Sequence, residues 1–138
     1  MKHISLKAAV LAAVMLVTVL AVSACSFLAP EDVEEITTQM LDRILIADAD
    51  GAYALLDGVE REEFDPVFEK WVLLFDGTDG YAIQAISFNI KSGIVGGVTT
   101  KQVTYLLTLN GQDGSYTVTS NISSDVPGKL IGFSISVG

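Results

Sequence analysis

The hydrophobic pattern changes its period once along the chain, and this change constrains the fold more than any other feature. Between residues 31 and 75, apolar residues recur at steps of three and four, as in helices with one buried face. From residue 81 onwards they alternate with polar residues, as in half-buried β-strands. The segment 76–80, Asp-Gly-Thr-Asp-Gly, is a strong turn signal between the two parts. This order predicts an α+β domain in which two N-terminal helices pack on a bent, four-stranded antiparallel sheet.

The first helix is predicted to begin after Pro30, because four acidic residues crowd its first turn, where the helix dipole favours anions. Its core face is predicted from a stripe of five apolar residues: Val33, Ile36, Met40, Ile44 and Ala47. Asp50-Gly51 is expected to interrupt the helix, since glycine costs about 1 kcal/mol in a helix interior. Helical character resumes over 52–56, and a second helix is predicted over 60–75.

Four strands are predicted in the second half of the chain. They span residues 81–91, 101–109, 115–122 and 131–137. The connection 110–114, Asn-Gly-Gln-Asp-Gly, is typical of a hairpin loop, and the loops 92–97 and 123–129 also carry turn residues. The last three strands each have one polar face, so the sheet is expected to be covered on one side only.

The N-terminus has the pattern of an export signal. Residues 1–7 carry two lysines and no acid, and residues 8–24 form an apolar run. The run ends in Val22-Ser23-Ala24-Cys25, which resembles the lipobox of bacterial lipoproteins. The resemblance implies cleavage after Ala24 and a diacylglycerol on the Cys25 thiol. An uncleaved membrane anchor and ordinary cleavage with a free thiol are the alternatives.

The lipobox divides the chain into a signal peptide (1–24), a tether (25–30) and a domain (31–138). It also predicts localisation on the extracytoplasmic face of the cell membrane, held by membrane lipid through acylated Cys25. Two or more acyl chains hold a protein on a bilayer stably.

Charge narrows the choice of partner. The chain has 8 basic and 17 acidic residues, and loss of Lys2 and Lys7 with the leader leaves six basic residues and a net charge of −11. Such an acidic chain excludes nucleic acid as a partner. The charge is expected to keep the domain soluble and away from anionic lipid, and the alternative is a basic partner or a cation site. With one cysteine and His3 as the single histidine, no intrachain disulfide, metal ligand or cofactor is predicted.

Residues 47–56, Ala-Asp-Ala-Asp-Gly-Ala-Tyr-Ala-Leu-Leu, and the following Phe64 resemble the helix break of small NTF2-like (cystatin-like cone) lipoproteins. The resemblance covers 31–137 and implies a cone whose mouth often binds small molecules. The sheet face, rich in Thr and Ser, is either solvated or, as the resemblance implies as the alternative, the surface through which NTF2-like domains often form a homodimer. A short extra strand that many members insert between the helices is absent from the sequence pattern.

Two sets of residues are candidates for a site. Six aromatic residues line a pocket or fill the core: Tyr53, Trp71, Tyr81, Tyr105, Tyr116 and Phe133. Asp48 and Asp57 are candidates for acid–base chemistry, because the strands contain no acid, and the alternative is that both flank helix ends in water. No catalytic residue is assigned, since residues 25–138 contain no histidine to activate a nucleophile.

These observations predict a non-enzymatic binding or interaction module, whose ligand is a small apolar molecule or an envelope protein. The alternative is a small isomerase- or hydratase-type enzyme of the NTF2-like kind that uses a helix carboxylate in the cone. A third alternative is an immunity- or inhibitor-like protein that presents its acidic helices to a basic target.

Overall fold

The computed structural model describes residues 30–93 and 97–137 of the 138-residue chain. Three helices come first: α1 (Glu31–Leu45), α2 (Ala49–Tyr53) and α3 (Arg61–Leu74). Four strands follow: β1 (Tyr81–Ser92), β2 (Thr99–Leu109), β3 (Tyr116–Ser123) and β4 (Gly132–Val137). The predicted α+β class, with helices on a four-stranded antiparallel sheet, is confirmed. The predicted signal peptide and Cys25 lie outside the described residues.

The sheet is a simple antiparallel meander in the order β1-β2-β3-β4. One face of β2 is buried under the helices, and it consists of Val103, Tyr105, Leu107 and Leu109. The register of β1 against β2 shifts at a β-bulge between Ala85 and Ser87. A bulge bends its strand and increases the local twist, so β1 is expected to bend at this point.

Helix α1 supplies the largest share of the core that covers the sheet. Its buried face is Val33, Ile36, Thr37, Met40, Leu41 and Ile44. Thr37 is buried and shares a hydrogen bond of 2.7 Å with the Ser120 hydroxyl of β3. At the other end of the helix, the Tyr81 hydroxyl of β1 donates to the Asp42 carboxylate at 2.7 Å. These contacts lay α1 over the middle of the sheet.

The break between the first two helices lies earlier than the sequence pattern predicts. Helix α1 ends at Leu45, and Ala47 is exposed with a φ of 57°, so Ala47 does not belong to the core stripe. The Asp48 carboxylate accepts a hydrogen bond from the Gly51 amide at 2.9 Å and starts α2. Asp50 and Gly51 are therefore helical. A capping carboxylate satisfies an amide at the helix start, and this local gain outweighs the poor helix propensity of glycine.

The third helix closes the other side of the core. Phe64, Phe68 and Trp71 of α3 are buried, and Trp71 meets the ring of Phe133 on β4 edge-on, with centroids 5.1 Å apart. The segment between α2 and α3 is held against the β3–β4 turn by two backbone bonds to Leu130. The Leu130 amide donates to the Leu55 carbonyl at 2.7 Å, and the Asp57 amide donates to the Leu130 carbonyl at 2.9 Å. None of the described helices has the length and apolar character needed to cross a bilayer.

Candidate functional site

A cleft of about 570 Å³ opens at the end of the molecule where α1 begins. One wall is the first three turns of α1, with Asp32, Glu35, Ile36 and Gln39. The facing wall consists of the start of β2, the end of β3 and the turn that follows β3. Its volume falls in the range of about 300–1,000 Å³ that is common for small-molecule sites.

The register of the sheet sets the second wall. Lys101 of β2 lies opposite Ile122 of β3, and both line the cleft. The turn after β3 is tied to β2 by two hydrogen bonds: Ser124 donates its amide to the Thr99 carbonyl, and its hydroxyl accepts from the Thr99 amide, each at 2.9 Å. The turn is thereby fixed, so the rim of the cleft has a defined shape.

One ion pair joins the two walls. The Lys101 ammonium lies 2.8 Å from the Asp32 carboxylate, and their side chains are 31% and 52% exposed. An exposed pair of this kind contributes about 0–1 kcal/mol to stability. Its main consequence is local, because it neutralises Lys101 and holds α1 against β2 at the mouth of the cleft. Ile36 and Ile122 supply apolar surface beside this pair.

The six aromatic candidates lie in and around the core, and the lining of the cleft consists of other residues. Tyr105 and Trp71 are buried, while Tyr53, Tyr81, Tyr116 and Phe133 pack against the core from its edges. The Tyr53 hydroxyl donates to the Val59 carbonyl, and the Tyr116 hydroxyl donates to the Gln112 side chain at 3.2 Å. That these six residues line a ligand pocket stays a prediction.

Two of these tyrosines have altered acidities. Burial raises the pKa of the Tyr105 hydroxyl to about 12. The Thr37 hydroxyl acts to lower this pKa, and the negative charges of Glu34 and Asp32 act to raise it. The Tyr105 hydroxyl is enclosed without a hydrogen-bond partner among the described residues. Burial, followed by the hydrogen bond to Asp42, also raises the pKa of Tyr81 above its ordinary value of 10.0. Both phenols therefore stay protonated at neutral pH.

The two acid–base candidates lie away from the cleft. Asp48 caps α2 and accepts a hydrogen bond from the Arg43 guanidinium at 3.0 Å, whereas Asp57 is exposed beyond α2. A catalytic role for either residue stays a prediction. Across 30–93 and 97–137, no group of three His, Cys, Asp or Glu side chains is placed to hold a metal ion.

The cleft residues come from three distant parts of the chain, which is why the sequence pattern did not single them out. One signal was present. Lys101 lies on the same face of β2 as Val103 and Tyr105, so a charged residue occupies the face that is buried further along the strand. A lysine at such a position indicates that the covering layer ends there and that a polar opening begins.

The similarity of this chain to known proteins is structural and distant. No protein-family model matches the chain, and no curated protein matches it. Among solved structures, the chain is similar to a provisionally assigned polyketide cyclase from Xanthomonas campestris pv. campestris. The two share 12% sequence identity over 76% of this chain and 89% of that chain, with a TM-score of 0.34. A likeness this distant carries no argument about activity.

Proposed function

We propose that this protein is a lipid-anchored binding protein of the cell envelope, with a domain of the NTF2-like type. We further propose that it holds a small amphipathic ligand in the cleft between α1 and the β3–β4 turn. The observation that carries the proposal is the cleft, since its two walls bring apolar and polar groups together around a volume suited to a small molecule.

The chemistry of the walls favours a ligand with an apolar body and a polar, uncharged end. Ile36 and Ile122 offer apolar contact, while the Thr99 and Ser124 side chains and the Gln39 amide offer hydrogen bonds. Lys101 is already paired with Asp32, and the exposed Glu35 and Lys129 carry opposite charges, so the lining of the cleft has no net charge. Polar groups placed among apolar ones fix the orientation of a bound molecule.

The same walls favour binding over catalysis. General acid–base chemistry needs a group held near the reacting atom with a suitable protonation state. Of the two carboxylates that line the cleft, Asp32 is paired with Lys101, and Glu35 is exposed to solvent. Neither Asp48 nor Asp57 reaches this cleft. These positions support a binding module over an isomerase or hydratase.

The anchor would place the cleft close to the lipid. Cys25 precedes Pro30 by five residues, and an extended chain spans at most about 3.6 Å per residue, so the reach is roughly 18 Å. Because α1 begins at Glu31 and forms one wall, the cleft would open near the membrane surface. Molecules that leave or enter the bilayer are the ligands that such a position suits.

Binding is tested with the uncharged fluorophore N-phenyl-1-naphthylamine, an apolar probe with one polar N–H group. We expect saturable fluorescence enhancement that Val126→Asp, at the rim of the cleft, weakens by about tenfold, since it sets a charged carboxylate against an apolar probe. Leu73→Asp is the matched control, because Leu73 is 72% exposed on α3 and lies outside the cleft lining. Equal loss in both variants would place the probe elsewhere and remove the support for the cleft.

Anchoring is tested separately by the intact mass of the protein extracted from membranes. A chain that begins at Cys25 and carries acyl groups is expected, and Cys25→Ala is expected to leave the unprocessed, unacylated chain. Retention of residues 1–24 in the native protein would contradict the lipid anchor. The result of this measurement does not affect the interpretation of the probe-binding experiment.

A further inference from the structure

The ion pair between Asp32 and Lys101 belongs to the lining of the cleft itself. Of the ion pairs found in residues 30–93 and 97–137, it is the one whose two members both line the cleft. Asp32 comes from the first turn of α1 and Lys101 from the start of β2. Their side chains are 52% and 31% exposed, so a molecule in the cleft can reach both charged groups.

The Asp32 carboxylate is held through both of its oxygens. Oδ1 accepts a hydrogen bond from the Val33 backbone amide at 3.0 Å, and Oδ2 accepts one from the Lys101 ammonium at 2.8 Å. The first amides of a helix have no partner within the helix, and Pro30, which precedes α1, provides no side-chain cap. The carboxylate therefore has a second contact, on its own helix, that keeps it beside Lys101.

Lys101 retains donors for an uncharged ligand. An ammonium group has three protons to donate, and among the described residues Asp32 accepts one of them. A hydroxyl, ester or amide oxygen in the cleft can accept another proton while the ion pair stays intact. Binding of an uncharged polar end thus leaves every charge of the lining with its partner.

An anionic end meets a different arrangement. A carboxylate, sulfonate or phosphate that approaches Lys101 also approaches the Asp32 carboxylate, which carries a like charge 2.8 Å from the same ammonium. It must either share the lysine with Asp32 or displace Asp32 and leave that carboxylate unpaired. Repulsion and unpaired charge of this kind are how a site rejects one class of ligand in favour of another. Glu35 and Lys129, the other charges of the lining, have opposite signs and do not change this balance.

We propose that Asp32, by occupying Lys101, is the residue that makes the cleft select uncharged amphiphiles over anionic ones. This inference rests on the proposed function, in which the cleft holds a small amphipathic ligand. The selected class has an alcohol, ester or amide end, and the rejected class has a carboxylate, sulfonate or phosphate. Apolar contact is not directional and responds to the area that is covered, so it does not separate the two classes when their apolar parts are alike.

Two matched probes measure this selectivity. N-phenyl-1-naphthylamine and 8-anilinonaphthalene-1-sulfonate share one aromatic skeleton and differ by a sulfonate. Both are titrated against the full chain in nanodiscs of uncharged phosphatidylcholine, with empty discs subtracted. Asp32→Asn frees Lys101 and keeps an oxygen for the Val33 amide. It is expected to lower the dissociation constant of the sulfonate about three- to fivefold, as for an exposed ion pair, and to change that of the uncharged probe less than about twofold.

Two control variants locate the effect. Glu35→Gln removes one negative charge from the same wall of the cleft and leaves the Asp32–Lys101 pair intact, so sulfonate binding is expected to change less than about twofold. Adding Lys101→Met to Asp32→Asn is expected to abolish the gain, because the freed ammonium is then absent. The gain is also expected to shrink in 0.5 M sodium chloride, which screens exposed charges.

The outcomes separate this inference from the proposed function. An equal change for both probes in Asp32→Asn, an equally large gain in Glu35→Gln, or a gain that persists without Lys101 would each overturn the role of Asp32. Each of these results would leave a cleft that binds the uncharged probe. If the unaltered chain shows no saturable binding of N-phenyl-1-naphthylamine, the proposed function is wrong, and the role of Asp32 is refuted with it.

Discussion

Tyr105 brings a hydroxyl group into the interior of the domain at a point where nothing in the described residues accepts its proton. The residue is 1% exposed, and the nearby Thr37 hydroxyl is engaged with the Ser120 hydroxyl and the Val33 carbonyl. A buried polar group without a partner costs about 1–3 kcal/mol. Tyr105 therefore reduces the stability that its ring would otherwise provide.

This cost leads to a prediction for Tyr105→Phe. The variant keeps the ring and removes the hydroxyl, so we expect the free energy of unfolding to stay equal or to rise by about 1 kcal/mol in urea titrations. Tyr116→Phe is the control, because its hydroxyl donates to Gln112 at 3.2 Å, and its loss is expected to be neutral or destabilising. A marked loss of stability in Tyr105→Phe alone would mean that this hydroxyl has a partner in the folded protein.

The same residue predicts a dependence on alkaline pH. Burial raises the pKa of Tyr105 to about 12 from an ordinary value of 10.0, so the unfolded chain loses this proton at lower pH than the folded one. The contribution of protonated Tyr105 to the free energy of unfolding is therefore fully present below pH 10, and it is lost as the pH rises towards 12. Tyr81 acts in the same direction. Unfolding titrations across this range are expected to show a smaller fall in Tyr105→Phe, and an equal fall in both proteins would refute the contribution of Tyr105.

At the scale of elements, the hydrophobic period predicts the helices and strands that bury one face. It does not predict an element boundary that is set by a local contact. Strands β2 and β3 and the two long helices follow the pattern because each hides one face, whereas β1 is exposed from Gln84 to Ser92. The break at 46–48 follows from the Asp48 cap and the left-handed Ala47, which leave no mark in the periodicity. The hydrophobic pattern could not predict the cleft for another reason. Asp32, Lys101 and Ile122 become neighbours only through the packing of α1 and the register of β2 with β3.

The Asp48 cap can be tested apart from any catalytic role. Asp48→Ala is expected to lower the free energy of unfolding by about 1 kcal/mol, because the Gly51 amide loses its acceptor. Asp48→Asn keeps a side-chain oxygen for that amide and loses only the partly exposed ion pair with Arg43, so most of the stability is expected to remain. Thermal or urea unfolding distinguishes the two variants. Equal losses would show that charge, and not capping, is what Asp48 contributes.

Charge acts on the whole molecule in a way that single contacts do not show. The excess of acids between residues 31 and 79 places α1 and α3 in a negative field that opposes folding. Salt screens such a field over a distance of about 10 Å at 0.1 M. We therefore expect the melting temperature to rise with sodium chloride between low and moderate ionic strength, where a chain stabilised mainly by surface ion pairs would melt at lower temperature.

Substitutions at two neighbouring positions on α3 test this field, because they are expected to change stability in opposite directions. Glu69 and Lys70 are both exposed, and neither forms an ion pair within the described part of the chain. In the negative field, Glu69→Gln is expected to stabilise the domain and Lys70→Gln to destabilise it, each by a few tenths, up to about 0.5 kcal/mol, at low salt. Both precede the last turn of the helix, so the helix dipole contributes little and the charge of the molecule dominates the two effects. Urea unfolding at low salt and in 0.5 M sodium chloride measures them, and both are expected to shrink in salt. If the two variants shift stability in the same direction, or if salt leaves the shifts unchanged, the effect comes from helix propensity or local packing and not from the charge of the molecule.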